Sequence, residues 1–264
     1  MRQRTNKKHR ENSVVSLLTD RTAVSIMIIM HRKQSGKQRG RQRTSMTEIK
    51  ELFDLQKTIA AALFEGKTYP WEVLEDIGDF IRKLGMELPE EEYDHPAEGV
   101  WIAKDANIFP SAYIGAPCII DRGAEVRHCA FIRENAIVGK NAVVGNSTEL
   151  KNVILFDSVQ VPHYNYVGDS ILGYKAHMGA GSITSNVKSD SGDVVIREPG
   201  GEHATGRMKV GAMLGDCAEI GCNSVLNPGT IIGKHSNVYP TSCVRGFVPP
   251  YSIYKDKDHI VRKV

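Results

Sequence analysis

The sequence has little of what would place it in a membrane or a secretory pathway. Its stretch "AVSIMIIM" is only eight residues long, whereas a bilayer needs about 20 apolar residues in succession. More charge follows that stretch, with no small-residue cleavage site, so a signal peptide is not expected. Five cysteines (Cys118, Cys129, Cys217, Cys222 and Cys243) form no CxxC pair and no dense framework. That spacing excludes a disulfide scaffold and predicts free thiols in a reducing compartment, hence a cytoplasmic protein. A large charge of one sign is also missing, but the net +3 conceals a division. Residues 1–45 hold twelve Lys/Arg against Glu11 and Asp20, giving +10, and the remainder sums to −7. Lacking apolar content, "MRQRTNKKHR" and "HRKQSGKQRGRQRTS" are expected to be disordered. A nucleic-acid or targeting arm is the other meaning of such a segment. The sequence "MTEIKELFDL" reads as a fresh protein start, so the functional chain is expected to begin at Met46, with no nucleic-acid or membrane partner.

Two amphipathic stretches come next. In "EIKELFDLQKTIAAALF" the residues Ile49, Leu52, Phe53, Ile59 and Leu63 share one helical face. "YPWEVLEDIGDFIRKLG" repeats the pattern, opened by Pro70 and closed by Gly85. A helical hairpin followed by an acidic linker is expected over 46–98. From there an aliphatic residue recurs every six positions: Ile102, Ile108, Ile114, Ile120, Val126, Ile132, Val138, Val144 and Leu150. Four positions after the first eight stand Ala106, Ala112, Cys118, Ala124, Ala130, Ala136, Ala142 and Thr148, all small. The beat returns from Leu214 to Val244. Six is neither a helical period nor a simple alternation; it predicts short strands joined by tight corners. The rhythm fails around "VPHYNYVGD", where a loop carrying a site is expected to replace a corner. Residues 186–210 are expected as an extruded polar loop and 248–264 as a tail that caps the last coil.

The pattern [LIV]-G-x-x-[ASTN]-x resembles the hexapeptide repeat of left-handed parallel β-helices, which implies an all-β coil over 99–247. Residues 133–186 resemble something narrower. Arg133, then Gly145-Asn146 with Glu149 and Lys151, then His163 with Tyr166 and Gly168-Asp169, then Gly179-Ala180-Gly181 and Asn186 are similar, without gaps, to the acetyltransferase domain of bacterial bifunctional N-acetylglucosamine-1-phosphate uridyltransferases. The uridyltransferase loop L-x-G-G-x-G-x-R is absent, so a stand-alone relative is expected.

The resemblance implies an acetyl-CoA-dependent N-acetyltransferase acting on an amino-sugar phosphate such as glucosamine 1-phosphate, in nucleotide-sugar and cell-envelope precursor metabolism. It implies a homotrimer, with acetyl-CoA as co-substrate and no metal. His163 would be the general base, an imidazole being a neutral base near pH 7. Arg133 and Lys151 would hold the phosphate, while Tyr166 and Asn186 orient the sugar. A backbone N–H near Gly179-Ala180 would serve the oxyanion. His177 stands where the family has Asn before its GAG segment, and is assigned to the acceptor. Cys222 aligns with a family serine near the thioester, so Ala180 and Cys222 are assigned to CoA. Val187 replaces an aromatic residue. Two other readings remain: a trimeric zinc enzyme using His128, His163 and His177, and a non-catalytic sugar-phosphate-binding module.

Overall fold

The computed structural model describes residues 45–264, and the disorder expected for the leader falls outside them apart from Ser45. The hexapeptide beat becomes a left-handed parallel β-helix whose coils pair strand upon strand. On the first face Trp101, Ile119, Ile137, Ile154, Ile171, Met213, Ile231 and Phe247 stack in register. The second face stacks Ile114, Ile132, Leu150, Val167, Thr184, Leu226 and Val244. The third includes Ile108, Val126, Val144, Val161, Met178, Ile220, Val238 and Tyr254. Interior aliphatics such as Ile132, Val144 and Leu150 are fully buried, as are the small corner partners Ala124, Ala130, Ala136 and Ala142. Cys129, Asn135, Asn141 and Ser147 turn successive corners at positive φ between 51° and 61°. Asn in particular tolerates that conformation because its short amide bonds locally.

The lost beats are not where the sequence suggested. Val161 and Val167 keep their six-residue spacing, so "VPHYNY" is an ordinary corner between the third and second faces. The shortfall lies at the next corner, between the second face and the first. Ile132 to Val138 spans six residues there, but Leu150 to Leu155 and Val167 to Leu172 span five. Arg133 is the residue without a counterpart, and the register shifts between Ile132 and Glu134.

The N-terminal segment differs from the expected hairpin. Its second helix forms over Ile77–Gly85, but the first is a single turn, Ile49–Leu52, followed by short 3-10 turns at Leu55–Lys57, Ala61–Phe64 and Pro70–Val73. Tertiary bonds override the helical periodicity. Asp216 N donates to Leu52 O at 3.0 Å, and Asp54 N donates to the Asp216 carboxylate at 2.8 Å, with Phe53 held extended between them. The segment lies on the first face of the coil. Phe156 meets Phe53 and Phe64 with ring centroids 5.1 and 5.9 Å apart, and Ile77 and Ile81 are fully buried. Ile119, Ile137, Ile154 and Ile171 are therefore buried too, although they point away from the coil interior.

Both ends of the ladder are closed by antiparallel strands. Tyr93–Ala97, within the expected linker, pairs with Val100–Ala103. Pairing also continues through the expected tail: Phe247–Val248 and Ser252–Asp256 join the coil, and His259–Arg262 folds back on the latter. Within the extruded segment Val195–Glu198 and Gly201–Ala204 form a hairpin.

Gly85 tests the fit of the N-terminal cover. A Cβ there would fall inside the indole of Trp101, which stacks on His95 at 4.9 Å. Helix propensity favours Ala by up to about 1 kcal/mol, while overpacking costs about 1–3 kcal/mol. Gly85→Ala is expected to lower the urea midpoint; a raised midpoint would show that Trp101 moves aside freely.

Candidate functional site

Two corners flank the second face, and the predicted residues divide between them. On the corner leading in from the third face, His163 is in register with Asn146. Ala180 and Cys222 occupy the equivalent position on the next two coils, each two residues beyond an interior residue of the third face (Met178 and Ile220). On the corner leading out to the first face stand Arg133, Lys151 and Asn186. Tyr166 lies between the two corners, in the outward column with Glu149 and Ile183.

One buried carboxylate organises the outgoing corner. The Asp169 side chain is only 4% exposed, and its carboxylate lies 3.6 Å from Lys151 Nζ. Asn186 Nδ2 donates to Asp169 Oδ2 at 2.5 Å and Asn152 Nδ2 to Oδ1 at 3.0 Å. Asn152 Nδ2 also reaches Leu74 O at 3.1 Å, which ties the corner to the N-terminal cover. Asn186 Nδ2 further donates to Tyr166 Oη at 3.3 Å. Burial, reinforced by the charge of Asp169, raises the Tyr166 phenol above its ordinary pKa and keeps it protonated at neutral pH. Arg133 Nη1 donates to Glu149 Oε1 at 3.1 Å, and that bond holds the exposed guanidinium above its ordinary pKa.

Asn165 organises the incoming corner. Its Oδ1 accepts from His163 N at 3.1 Å, while its buried Nδ2 donates to Gly179 O at 2.9 Å and Ser182 O at 3.0 Å. Gly181 N donates to His163 O at 3.0 Å. The backbone of His163 is thus fixed to the turn that carries Ala180, while its imidazole stands exposed. Gly179 N is taken by Ile220 O; Ala180 N has no acceptor among the described residues.

The structure does not bring His177 to this face. It lies on the third face in register with Gln160 and Glu219, and its Nδ1 is 3.1 Å from Glu219 Oε2. Nor do the three histidines of the zinc reading meet within the chain. His128 is bonded to Ser111 at 2.9 Å, and Asn146 stands between it and His163 along their common corner. Among the described residues no group of three or more His, Cys, Asp or Glu is placed to hold a metal ion. No helix among them is long and apolar enough to cross a membrane. Asn152 and Asn165 were not singled out from the sequence, and Asp169 was given no role. Their signal was there: Asn135, Asn152, Asp169 and Asn186 recur at the spacing of the shortened coil.

The family model for the GMPPB C-terminal domain matches residues 114–199. A bifunctional GlmU protein of Methanococcus maripaludis is 33% identical over 195 residues, covering 73% of this chain and 47% of that protein. A bifunctional sugar-1-phosphate nucleotidylyltransferase/acetyltransferase of Sulfurisphaera tokodaii is 32% identical over 145 residues, 55% of this chain and 36% of that protein. The chain is a hexapeptide-repeat relative of these proteins. It spans less than half the length of either. Among solved structures, a hexapeptide transferase family protein from Anaplasma phagocytophilum is 15% identical over 60% of this chain and 79% of its own, with a TM-score of 0.28. That score adds nothing to the ladder described above.

Removing the Asp169 carboxylate leaves the Lys151 ammonium without its buried counter-charge and takes one of two acceptors from each of Asn152 and Asn186. Asp169→Ala is expected to cost about 2–4 kcal/mol. The double variant Lys151→Met/Asp169→Ala should recover at least about 1 kcal/mol of that loss in denaturant titrations. Strict additivity would mean that the two side chains do not interact.

Proposed function

We propose that the chain is an acyl-CoA-dependent N-acetyltransferase acting on an amino-sugar phosphate resembling glucosamine 1-phosphate. The observation that carries this reading is the arrangement of His163 and the Lys151–Asp169–Asn186 cluster on the two corners of a face that the N-terminal segment leaves open. Lys151, held by a carboxylate but 18% exposed, offers its ammonium to a phosphate dianion, and Arg133 offers a second cation on the same corner. Tyr166 and Asn186 present a hydroxyl and an amide toward the sugar. Neutral imidazole at His163 takes a proton from the acceptor nitrogen as that nitrogen attacks the thioester carbonyl carbon. Ala180 N–H is available to the oxyanion. Collapse forms the amide and breaks the C–S bond, and His163 returns the proton to the departing sulfur. Most of the rate advantage then comes from holding the two reactants together.

The reading includes a homotrimer in the cytoplasm. The N-terminal segment occupies the first face, so the second and third remain for contacts between copies, and the exposed Tyr113 and Phe131 lie on the second. A module that binds the sugar phosphate without turning it over is the other reading, favoured by the departures at Cys222, Val187 and His177, the last engaged by Glu219.

CoA release measured against a panel of amino-sugar phosphates separates the two. His163→Ala is expected to lower kcat by about 10²–10⁴ with KM little changed. Lys151→Ala should chiefly raise KM for the phosphorylated acceptor. Full activity in His163→Ala removes the base assignment, and no release with any acceptor leaves the binding module.

A further inference from the structure

The corner that carries Lys151 and Asn186 continues toward the C-terminus, and a cavity of about 820 Å³ opens along it. Its walls include Lys188, Arg197, Asn227, Pro228, Arg245 and Phe247. Thr184, Leu226 and Val244 stack in register on the second face, so Ser185, the neighbour of Asn186, is followed by Asn227 and Arg245 on successive coils. At the usual strand spacing, Arg245 stands about 10 Å beyond Ser185 along the same edge, one residue from Asn186. The extruded segment forms the roof. Val194 and Ile196 are buried against Gly229, where a Cβ would lie 2.7 Å from Val194 and 2.9 Å from Ile196. The hairpin is therefore seated by packing, and its Arg197 is carried to the cavity rim.

The charge of the cavity favours an anion. Asp190 and Glu198 also reach the wall against three cations, and the Glu198 carboxylate is already bonded by Ser45 Oγ, Met46 N and His203 Nε2. Lys188 pairs with Asp190 at 3.2 Å and Arg197 with Glu202 at 2.8 Å, both in exposed positions where such pairs are weak and readily exchanged. Arg245 has no carboxylate within salt-bridge distance among the described residues. Phe247 and Pro228 supply apolar surface beside these cations. Asn227 Nδ2 is held by Val244 O at 2.8 Å, which leaves Asn227 Oδ1 available as an acceptor. Cations, an aromatic ring and an amide together suit a phosphate chain that ends in a heterocyclic base. The volume is within the range of ligand sites, about 300–1,000 Å³.

We propose that this cavity takes the nucleoside and α-phosphate of a nucleotide-linked amino sugar, whose β-phosphate, the sugar 1-phosphate, lies at Lys151 and Asn186. The inference rests on the acceptor reading above and deepens it: the sugar 1-phosphate is the inner part of a longer acceptor. CoA also carries a nucleotide, but Ala180 and Cys222 lie on the opposite corner of the face, so the donor is assigned there.

Calorimetric titration of the full chain tests this with UMP, UDP, GDP, UDP-N-acetylglucosamine and CoA as probes. UDP or GDP is expected to bind, and Arg197→Ala/Arg245→Ala should weaken that binding at least about tenfold while leaving CoA affinity and glucosamine 1-phosphate turnover within about twofold. Lys151→Ala should weaken UDP and UDP-N-acetylglucosamine but not UMP. Absence of UDP and GDP binding, or unchanged affinity in the double arginine variant, overturns the proposal. Competition between CoA and UDP overturns it by giving the cavity to the donor. If arginine-dependent nucleotide binding persists without any CoA release, the catalytic reading fails and the pocket stands.

Discussion

The coil, its N-terminal cover and both corners of the candidate site depend on the hydrogen-bond ladder between consecutive coils. Parallel pairing at about 4.8 Å per coil places residues from equivalent sequence positions in one column. A column is therefore the unit of both stability and chemistry. Interior columns of Ile, Leu and Val form the core, with small residues beneath the bends. The outward and corner columns hold whatever residues the sequence places at those positions. His163, Ala180 and Cys222 form one such column, and Asn152, Asp169 and Asn186 another. The second is cross-linked by side-chain bonds because the shortened coils keep its members aligned.

The N-terminal segment makes the three faces unequal. It buries the outward side of the first face under Phe53, Phe64, Ile77 and Ile81, and Asp216 anchors it through the backbone of Leu52 and Asp54. Burial raises the Asp216 carboxyl above the ordinary carboxylate range, against the pull of Lys234 at 3.2 Å. Its folded-state pKa lies above the unfolded value even with the bonds to Asp54 N and Tyr174 N pulling it down, so its contribution to stability diminishes as pH rises through the acid range. Because the cover also touches Asn152 through Leu74 O, it reaches the candidate site without lining it.

Much of this was legible in the sequence. The six-residue beat gave the coil, and the gap-free run from Arg133 to Asn186 gave the residues of the flanking corners. A further signal lay in the doubled aliphatics Ile119-Ile120, Ile137-Val138, Ile154-Leu155, Ile171-Leu172, Met213-Leu214 and Ile231-Ile232. An apolar residue beside each interior one marks a face buried on both sides. On the other faces the neighbour is often polar, as at Glu125, Glu149 and Glu219. What the beat alone did not disclose was how each corner is tied together. The amide bonds of Asn165 join residues one coil apart, and the break was assigned to "VPHYNYVGD" because the shortfall at Lys151-Asn152 shifts everything after it. The first helix stops short for a related reason: its apolar period is genuine, but the backbone of Leu52 and Asp54 bonds to Asp216 far along the chain.

The central claim is that a face left open by the N-terminal segment carries acceptor and donor on its two corners. A crystal structure of the full chain soaked with glucosamine 1-phosphate and CoA tests it most directly. The account predicts the sugar phosphate within hydrogen-bonding reach of Lys151 or Arg133, and the CoA sulfur beside Ala180 on the corner that carries His163. Phosphate density on the third face beside His177, or both ligands on the same corner, would contradict it.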